Sequence, residues 1–273
     1  MAAYAIGDVQ GCHFSFLDLL NRIKFNSDCD QIFFVGDLVN RGKNSKLFAE
    51  WCLSNQANIK TVLGNHDLHF MAVYFGQKQQ NKSDTLDGLL SSKKISAFIE
   101  WIYQQPLVID YENYLIVHAG IYPHWTIAQS IDLSKKVHEE LIAEPEKFLF
   151  KMYGNDPGFW SEDLDNFLKL RMTINIMTRM RMLNSDLSLE YNYKGEISKI
   201  NHDKFQPKPW FDFKRLDSSK KIITGHWSAI NICRHLYGIS IDSGCVWGNA
   251  LTAFCLETQE LFQVPAHPDD LII

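Results

Sequence analysis

Five short blocks in this chain place side chains that can bind metal or phosphate directly after apolar runs. They are Ile6-Gly7-Asp8-Val9-Gln10-Gly11, Val35-Gly36-Asp37-Leu38-Val39-Asn40-Arg41-Gly42, Leu63-Gly64-Asn65-His66-Asp67, Val117-His118-Ala119-Gly120 and Thr224-Gly225-His226-Trp227. Their donors are carboxylate and amide oxygens and imidazole nitrogens, without thiolate, a set that suits Mn, Fe, Co, Ni, Zn or Mg. Two such ions sharing one carboxylate clamp a phosphoryl group and generate hydroxide near neutral pH. The glycines let the backbone turn sharply and approach a ligand closely. Taken singly, each block has an ordinary explanation: an Asp capping the next helix, an Asx turn, or a hydrogen-bonded buried histidine. Together, in order and each after an apolar run, they point to one site for metal-assisted phosphoester cleavage.

Such residues meet only if the surrounding elements deliver them to one rim. Tyr4–Ile6, Ile32–Val35 and Ile59–Leu63 read as strands. Between them, Phe14–Lys24, with Leu17, Leu20 and Ile23 on one face, and Leu47–Leu53 read as helices. Strand, helix, strand at this spacing predicts a parallel sheet with right-handed crossovers, whose ligands bind beyond the carboxyl ends of the strands. Further apolar runs follow at Leu107–Ile109 and Tyr114–Val117, then at Lys221–Thr224, Gly238–Ile241, Leu251–Cys255 and Leu261–Val264. The closely spaced last four predict a second sheet. The expected fold class is therefore α/β, a β-sandwich of two mixed sheets flanked by helices. One domain is expected over residues 1–273, with helical cap insertions near 77–105 and 134–205, because no Pro/Gly/Ser linker separates them.

Composition narrows the function classes. The chain has 273 residues, 46% of them apolar, which is ample for a core and excludes disorder as the main state. A net charge of −5 argues against a general electrostatic grip on nucleic acid or an anionic membrane. No run approaches the roughly 20 apolar residues that would span a bilayer, and the N-terminus has no basic or apolar signal region. Six cysteines without a CxxC spacing read as free thiols in a reducing compartment, so a cytoplasmic protein is expected.

The five blocks resemble the signature of the phosphoprotein phosphatase superfamily of dimetal phosphoesterases: GDxHG, GDxVDRG, GNHE and two later histidines. The resemblance is closer to its bacterial branch, the symmetrical bis(5′-nucleosyl)-tetraphosphatases. It is carried by Gly64–His69, His118–Trp125, Met152–Gly154, Thr178–Met182, Lys208–Phe211, Gly225–Trp227 and Asp242–Gly248, which run nearly end to end. It implies hydrolysis of diadenosine tetraphosphate to two ADP by one-step, in-line attack of a hydroxide held between two metals. Asp8, Gln10 and Asp37 would hold one ion, with Asp37 bridging to a second held by Asn65, His118 and His226. His66 takes the position of the general acid, Arg41 would contact phosphate, and Arg179 or Arg181 would be a second phosphate-binding arginine, Arg181 being preferred. The ions are expected to be manganese or cobalt, with magnesium, iron, nickel or zinc also compatible. The partner would be a small dinucleoside polyphosphate, without membrane or stable nucleic-acid binding. A serine/threonine protein phosphatase or general phosphomonoesterase on the same dimetal core is the alternative, and a non-catalytic metal-binding protein is a third.

Two positions depart from the superfamily pattern. Gln10 stands where the pattern has His, a harder donor that favours manganese or magnesium. Asn40 stands where protein phosphatases have the Asp that orients the neighbouring histidine. An anhydride substrate accounts for the second departure: ADP departs with a terminal phosphate whose second pKa is about 6 and needs less proton donation than an alkoxide. For the adenine rings, Trp227 and Tyr153 are the candidates, whereas Trp125 and Trp247 read as core. Met172, Met177, Met180 and Met182 read as helix packing. The lysines of Gln77–Lys94 read as a solvated insertion, with Lys78 and Lys82 near enough in sequence to rim a phosphate channel. His13, His69, His124, His138, His202 and His235 carry no ligand role in this reading.

Overall fold

In the strand Ala3–Ile6 (β1), alternate side chains enter two different cores. Ala3 and Ala5 join one with Phe33, Val35, Tyr114, Ile116, Ile223, Ile239 and Phe254. Tyr4 and Ile6 join the other with Phe16, Phe34 and Phe48. A strand has period two, so a sheet buried on both faces must be apolar on both, as these runs are. The computed structural model describes residues 1–199 and 207–272. Its first sheet runs, edge to edge, Leu261–Pro265 (β13), Ala250–Cys255 (β12), β1, Gln31–Phe34 (β2) and Ile59–Thr61 (β3). The strands β1, β2 and β3 are parallel, while β12 is antiparallel to β1 and to β13. The second sheet runs Cys233–His235 (β10), Gly238–Ser240 (β11), Lys221–Thr224 (β9), Tyr114–Val117 (β5) and Val108–Tyr111 (β4), with β5, β9 and β11 parallel.

The sheets face each other. The Tyr114 ring of the second sheet meets Phe254 of the first edge-on at 6.2 Å, and its hydroxyl donates to the Leu256 carbonyl at 3.0 Å. Helices His13–Ile23 (α1), Ser45–Ser54 (α2), Asn65–Tyr74 (α3), Asp87–Leu90 (α4) and Ile95–Ile102 (α5) come from the first half of the chain. The helices Ile127–Ala143 (α6), Pro145–Lys151 (α7) and Asn166–Arg179 (α8) come from the second. Phe16 of α1 and Phe48 of α2 close on Phe34 of β2 with centroids 5.6 and 5.5 Å away, fastening this helical layer to the first sheet.

The two mixed sheets match the sequence expectation, with three corrections. The late strands do not all build the second sheet: β9 and β11 do, but β12 and β13 return to the first, where Ala5 pairs with Phe254. Spacing along the chain does not say which edge a strand returns to. The buried face of α1 is Ser15, Phe16, Leu19 and Ile23, and Leu17 and Leu20 are only partly buried. A third, antiparallel sheet of Leu189–Glu190 (β7), Met182–Leu183 (β6) and Lys208–Pro209 (β8) was not anticipated, since two-residue strands leave no readable period. Of the segment 134–205, residues 200–205, His202 among them, lie outside the described residues. Among the described residues, no helix is long and apolar enough to cross a membrane.

Candidate metal centre

Strand register brings the five blocks to one rim. Phe34 of β2 pairs with Thr61 of β3, so Asp37 and Gly64, each three residues further on, emerge side by side. Ile116 of β5 pairs with Ile223 of β9, which places His118 beside Gly225 and His226. The approach is close enough to require glycine. A Cβ on Gly64 would lie 2.1 Å from Asp37 Oδ1, and one on Gly225 would lie 1.9 Å from Asp8 Oδ1. Gln10, Asp37, Asn40, Arg41 and His226 all have φ between 45° and 81°, a region L-residues avoid. Such conformations persist where surrounding structure imposes them, and they gather at functional sites.

The donors converge. One ligand atom each from Asp8, Asp37 and His118 lie within 4.8 Å of one another, and all three residues are buried. His118 Nδ1 donates to the Val35 carbonyl at 2.8 Å, which leaves Nε2 facing Asp37 Oδ2 at 3.4 Å and the Asn65 amide at 3.3 Å. Fixed at Nδ1 in this way, the ring holds Nε2 in place as a metal ligand; against burial, Asp37 raises its pKa, so a cation there would take the place of a proton. The Asn65 amide also lies 2.9 Å from His226 Nδ1 and 3.0 Å from the Thr178 carbonyl. Without a cation its NH2 end satisfies those acceptors, whereas a cation would call for its oxygen. His226 Nε2 is buried with no hydrogen-bond partner among the described residues. The Gln10 amide donates to Asp37 Oδ2 at 3.1 Å, and among the described residues its own oxygen accepts no hydrogen bond.

The electrostatics suit a bound cation. Burial, then Asp242 and Asp37, push the Asp8 carboxyl well above its ordinary range. Burial also raises Asp242 to about 6. Asp37 goes the other way: burial pushes it up, but His118, His66 and His226 outweigh burial and hold it low. Buried oxygen and imidazole donors crowded this closely, with an orphaned ring nitrogen among them, fit divalent cations.

Two clefts flank the cluster and share Asn65 and His66. The larger, about 380 Å³, is lined by Arg41, Tyr153, Arg179 and His69 among others. The smaller, about 260 Å³, holds Gln10, Asp37 and His226 together with Arg181, Trp227, Trp247 and Asp242. The two arginines thus part company. Arg181 donates toward the His226 carbonyl at 3.3 Å beside the acidic cluster. Arg179 is tied to Asn175 and Asn155 at 2.9 and 3.0 Å and lies 4.7 Å from the Tyr191 ring centroid. Tyr153 lies beneath Lys78, whose Nζ is 4.4 Å from its ring centroid. Trp227 is buried, its indole N–H donating to the Gly195 carbonyl at 3.0 Å. Trp125 is core, but Trp247 is not: 65% of it is exposed at the smaller cleft, correcting the expectation that it packs inside.

Three acidic residues of the site escaped the sequence reading. Asp67 pins the rim, accepting from the Leu38 and Gly64 N–H groups at 2.9 Å each. Asp242 borders the smaller cleft. Asp84 belongs to a polar stretch that reads as solvated, yet its side chain has no exposed surface. Its loop is latched to the site: Arg41 donates to the Ser83 carbonyl at 3.1 Å, and the Thr85 hydroxyl donates to the Gly42 carbonyl at 2.8 Å. The signal available in sequence was the Asn40 departure, which asks where the missing carboxylate went.

A family model described as calcineurin-like phosphoesterase matches residues 1–176. The chain is 39% identical over 272 residues to a protein of Methylobacillus flagellatus named symmetrical bis(5′-nucleosyl)-tetraphosphatase, covering 99% of this chain and 97% of that one. A protein of the same name from Neisseria meningitidis is 40% identical over 270 residues, with 97% and 96% covered. Among solved structures, one described as a candidate diadenosine tetraphosphatase is similar with a TM-score of 0.65 at 20% identity, over 98% of this chain and 94% of that one. A protein serine/threonine phosphatase from Saccharomyces cerevisiae is similar at 0.54 and 15% identity, over 98% and 82%. At such identities the structural likeness speaks to the fold.

Proposed function

The chain belongs to the calcineurin-like phosphoesterase family, and from that premise we propose that it hydrolyses dinucleoside tetraphosphates symmetrically, splitting diadenosine tetraphosphate into two ADP. The observation that carries this reading is the pair of clefts about one acidic cluster, in a chain matched nearly end to end by relatives named for that reaction. A substrate with two equal arms needs its midpoint at the reacting centre and room for an arm on each side. The larger cleft receives one arm on Arg41, Arg179 and Tyr153. The smaller receives the other on Arg181 and Trp227, with exposed Trp247 as a further base platform.

Asp8, Gln10, Asp37, Asn65, His118 and His226 would hold two divalent cations, manganese or cobalt foremost, with Asp37 offering an oxygen to each. Ions bound there would supply Lewis-acid clamping of phosphoryl oxygens and ready ionisation of water. Arg41 and Arg181 neutralise charge building on the equatorial oxygens, a task suited to the planar guanidinium fork. His66, lining both clefts, offers a ring N–H to the departing ADP. The six free cysteines favour a reducing, cytoplasmic setting, and the net charge of −5 disfavours nucleic acid or anionic membrane as partner.

Chromatography of the products formed from diadenosine tetraphosphate, with and without added Mn, tests the proposal beside an Asp37→Asn control. ADP alone, dependent on metal and lost in the control, is the expected result. ATP plus AMP would overturn the symmetrical cleavage. Turnover of a phosphoserine peptide at a matching rate would overturn the anhydride preference.

A further inference from the structure

Asn40 is held by four contacts that leave its amide a single orientation. Its Oδ1 accepts from the Arg41 and Thr85 backbone N–H groups at 2.7 and 3.1 Å. Its Nδ2 must therefore be the donor, and it reaches Asp84 Oδ1 at 3.0 Å and His66 Nδ1 at 3.3 Å. A nitrogen that receives a hydrogen bond carries no proton, so the neutral His66 ring bears its hydrogen on Nε2, the edge away from Asn40. The other Asp84 oxygen accepts from the Asn81 N–H at 2.7 Å and meets His69 Nε2 at 2.7 Å. With its proton on Nε2, His69 turns an acceptor at Nδ1 to the Tyr153 hydroxyl, 3.3 Å away. One buried carboxylate thus ends two chains, one leading to His66 where the clefts join and one to Tyr153 on the wall of the larger cleft.

We propose that Asp84 is a positioning residue for the reaction: through Asn40 it selects the His66 tautomer with Nε2–H, and through His69 it fixes the Tyr153 hydroxyl. Its effect on turnover rests on the function proposed above, but its effect on the ring tautomer does not. The chemistry explains why Asn rather than Asp stands at position 40. A carboxylate there would face Asp84 at 3.0 Å across a buried gap, and it would draw the His66 proton to Nδ1. A carboxamide accepts on one side and donates on the other, as this junction requires. Burial pushes the Asp84 carboxyl up, yet the hydrogen bonds from Asn40, His69 and Asn81 outweigh burial and keep it ionised below the ordinary range.

The experiment reads the His66 ring nitrogens by 15N NMR in the metal-free full-length protein, at a pH where the ring is neutral. Steady-state kinetics on diadenosine tetraphosphate with Mn accompany it. Wild type should show Nδ1 unprotonated and Nε2 protonated. Asp84→Ala should mix the two tautomers and lower kcat about ten- to a hundredfold, the usual cost of losing a group that orients a reacting one, with a smaller rise in KM. Unchanged ring signals in Asp84→Ala, or kcat within about twofold of wild type, would overturn the proposal. Should Asp84→Ala not fold, Asn40→Asp and the double variant Asn40→Asp/Asp84→Asn decide the matter. The second change should partly rescue the first because it removes the facing carboxylate, whereas additive losses would overturn the pairing. If wild type itself fails to cleave the substrate, the functional reading falls while the tautomer measurement still tests Asp84.

Discussion

At the scale of single residues, the site divides its work between groups of the same chemical type. Arg179 and Arg181 stand two positions apart, but α8 ends at Arg179 and the chain leaves the helix there, so their side chains serve different clefts. Arg181 sits among the carboxylates of Asp242, Asp37 and Asp8, and burial lowers its pKa to about 10. Arg181→Ala should therefore act mainly on kcat. A charge-assisted hydrogen bond of roughly 1.5–3 kcal/mol corresponds to a loss of about ten- to a hundredfold. Arg179→Ala should act mainly on KM. Steady-state kinetics of both variants check this, and the opposite split would reassign them. Gln10 is bifunctional in the same sense as Asn40: its NH2 steadies Asp37 while its oxygen stays available. The histidine of the superfamily pattern would offer a softer donor in its place.

At the scale of elements, glycine and register decide whether the donors meet. Gly64 lets the turn after β3 press against Asp37, and Asp67 ties that turn to Leu38 after β2. Gly64→Ala should displace Asp37, costing about 1–3 kcal/mol of stability in the manner of an overpacked core, and should weaken Mn binding markedly. Gly88 in α4 has nothing within 4 Å of an added Cβ. Gly88→Ala should leave metal binding intact and stabilise by up to about 1 kcal/mol. Denaturant titration and calorimetric Mn titration of the two variants separate close approach from general helix effects. This is also where sequence reading succeeded and failed. The strands β1, β2, β3, β5 and β9, each with a donor block just past its end, were legible because that pattern is local. The return of β12 and β13 to the first sheet was not, since pairing partners are chosen across the fold.

At the scale of the whole molecule, the two five-stranded sheets and the helices around them bury several carboxylates at one rim, an arrangement that is costly until a cation is bound. Divalent metal should consequently stabilise the folded chain, by about 2.7 kcal/mol at a hundredfold excess over Kd. For a chain of this size that corresponds to roughly 5–10 °C in Tm. Scanning calorimetry with Mn against chelator should show the shift in wild type and little of it in Asp37→Asn. The amino-acid sequence by itself determined which donors exist, that each follows a strand, and hence the family of chemistry they perform, because a Gly-Asp or Gly-Asn after an apolar run is decided by neighbours in the chain. Only the tertiary structure decided that Arg179 and Arg181 face different clefts, that Trp247 is open to solvent, and that Asp84 reaches Asn40 from 44 positions away. Those contacts come from the path of loops over a packed core, and the periodicity of a strand or helix holds no record of where a distant loop will land.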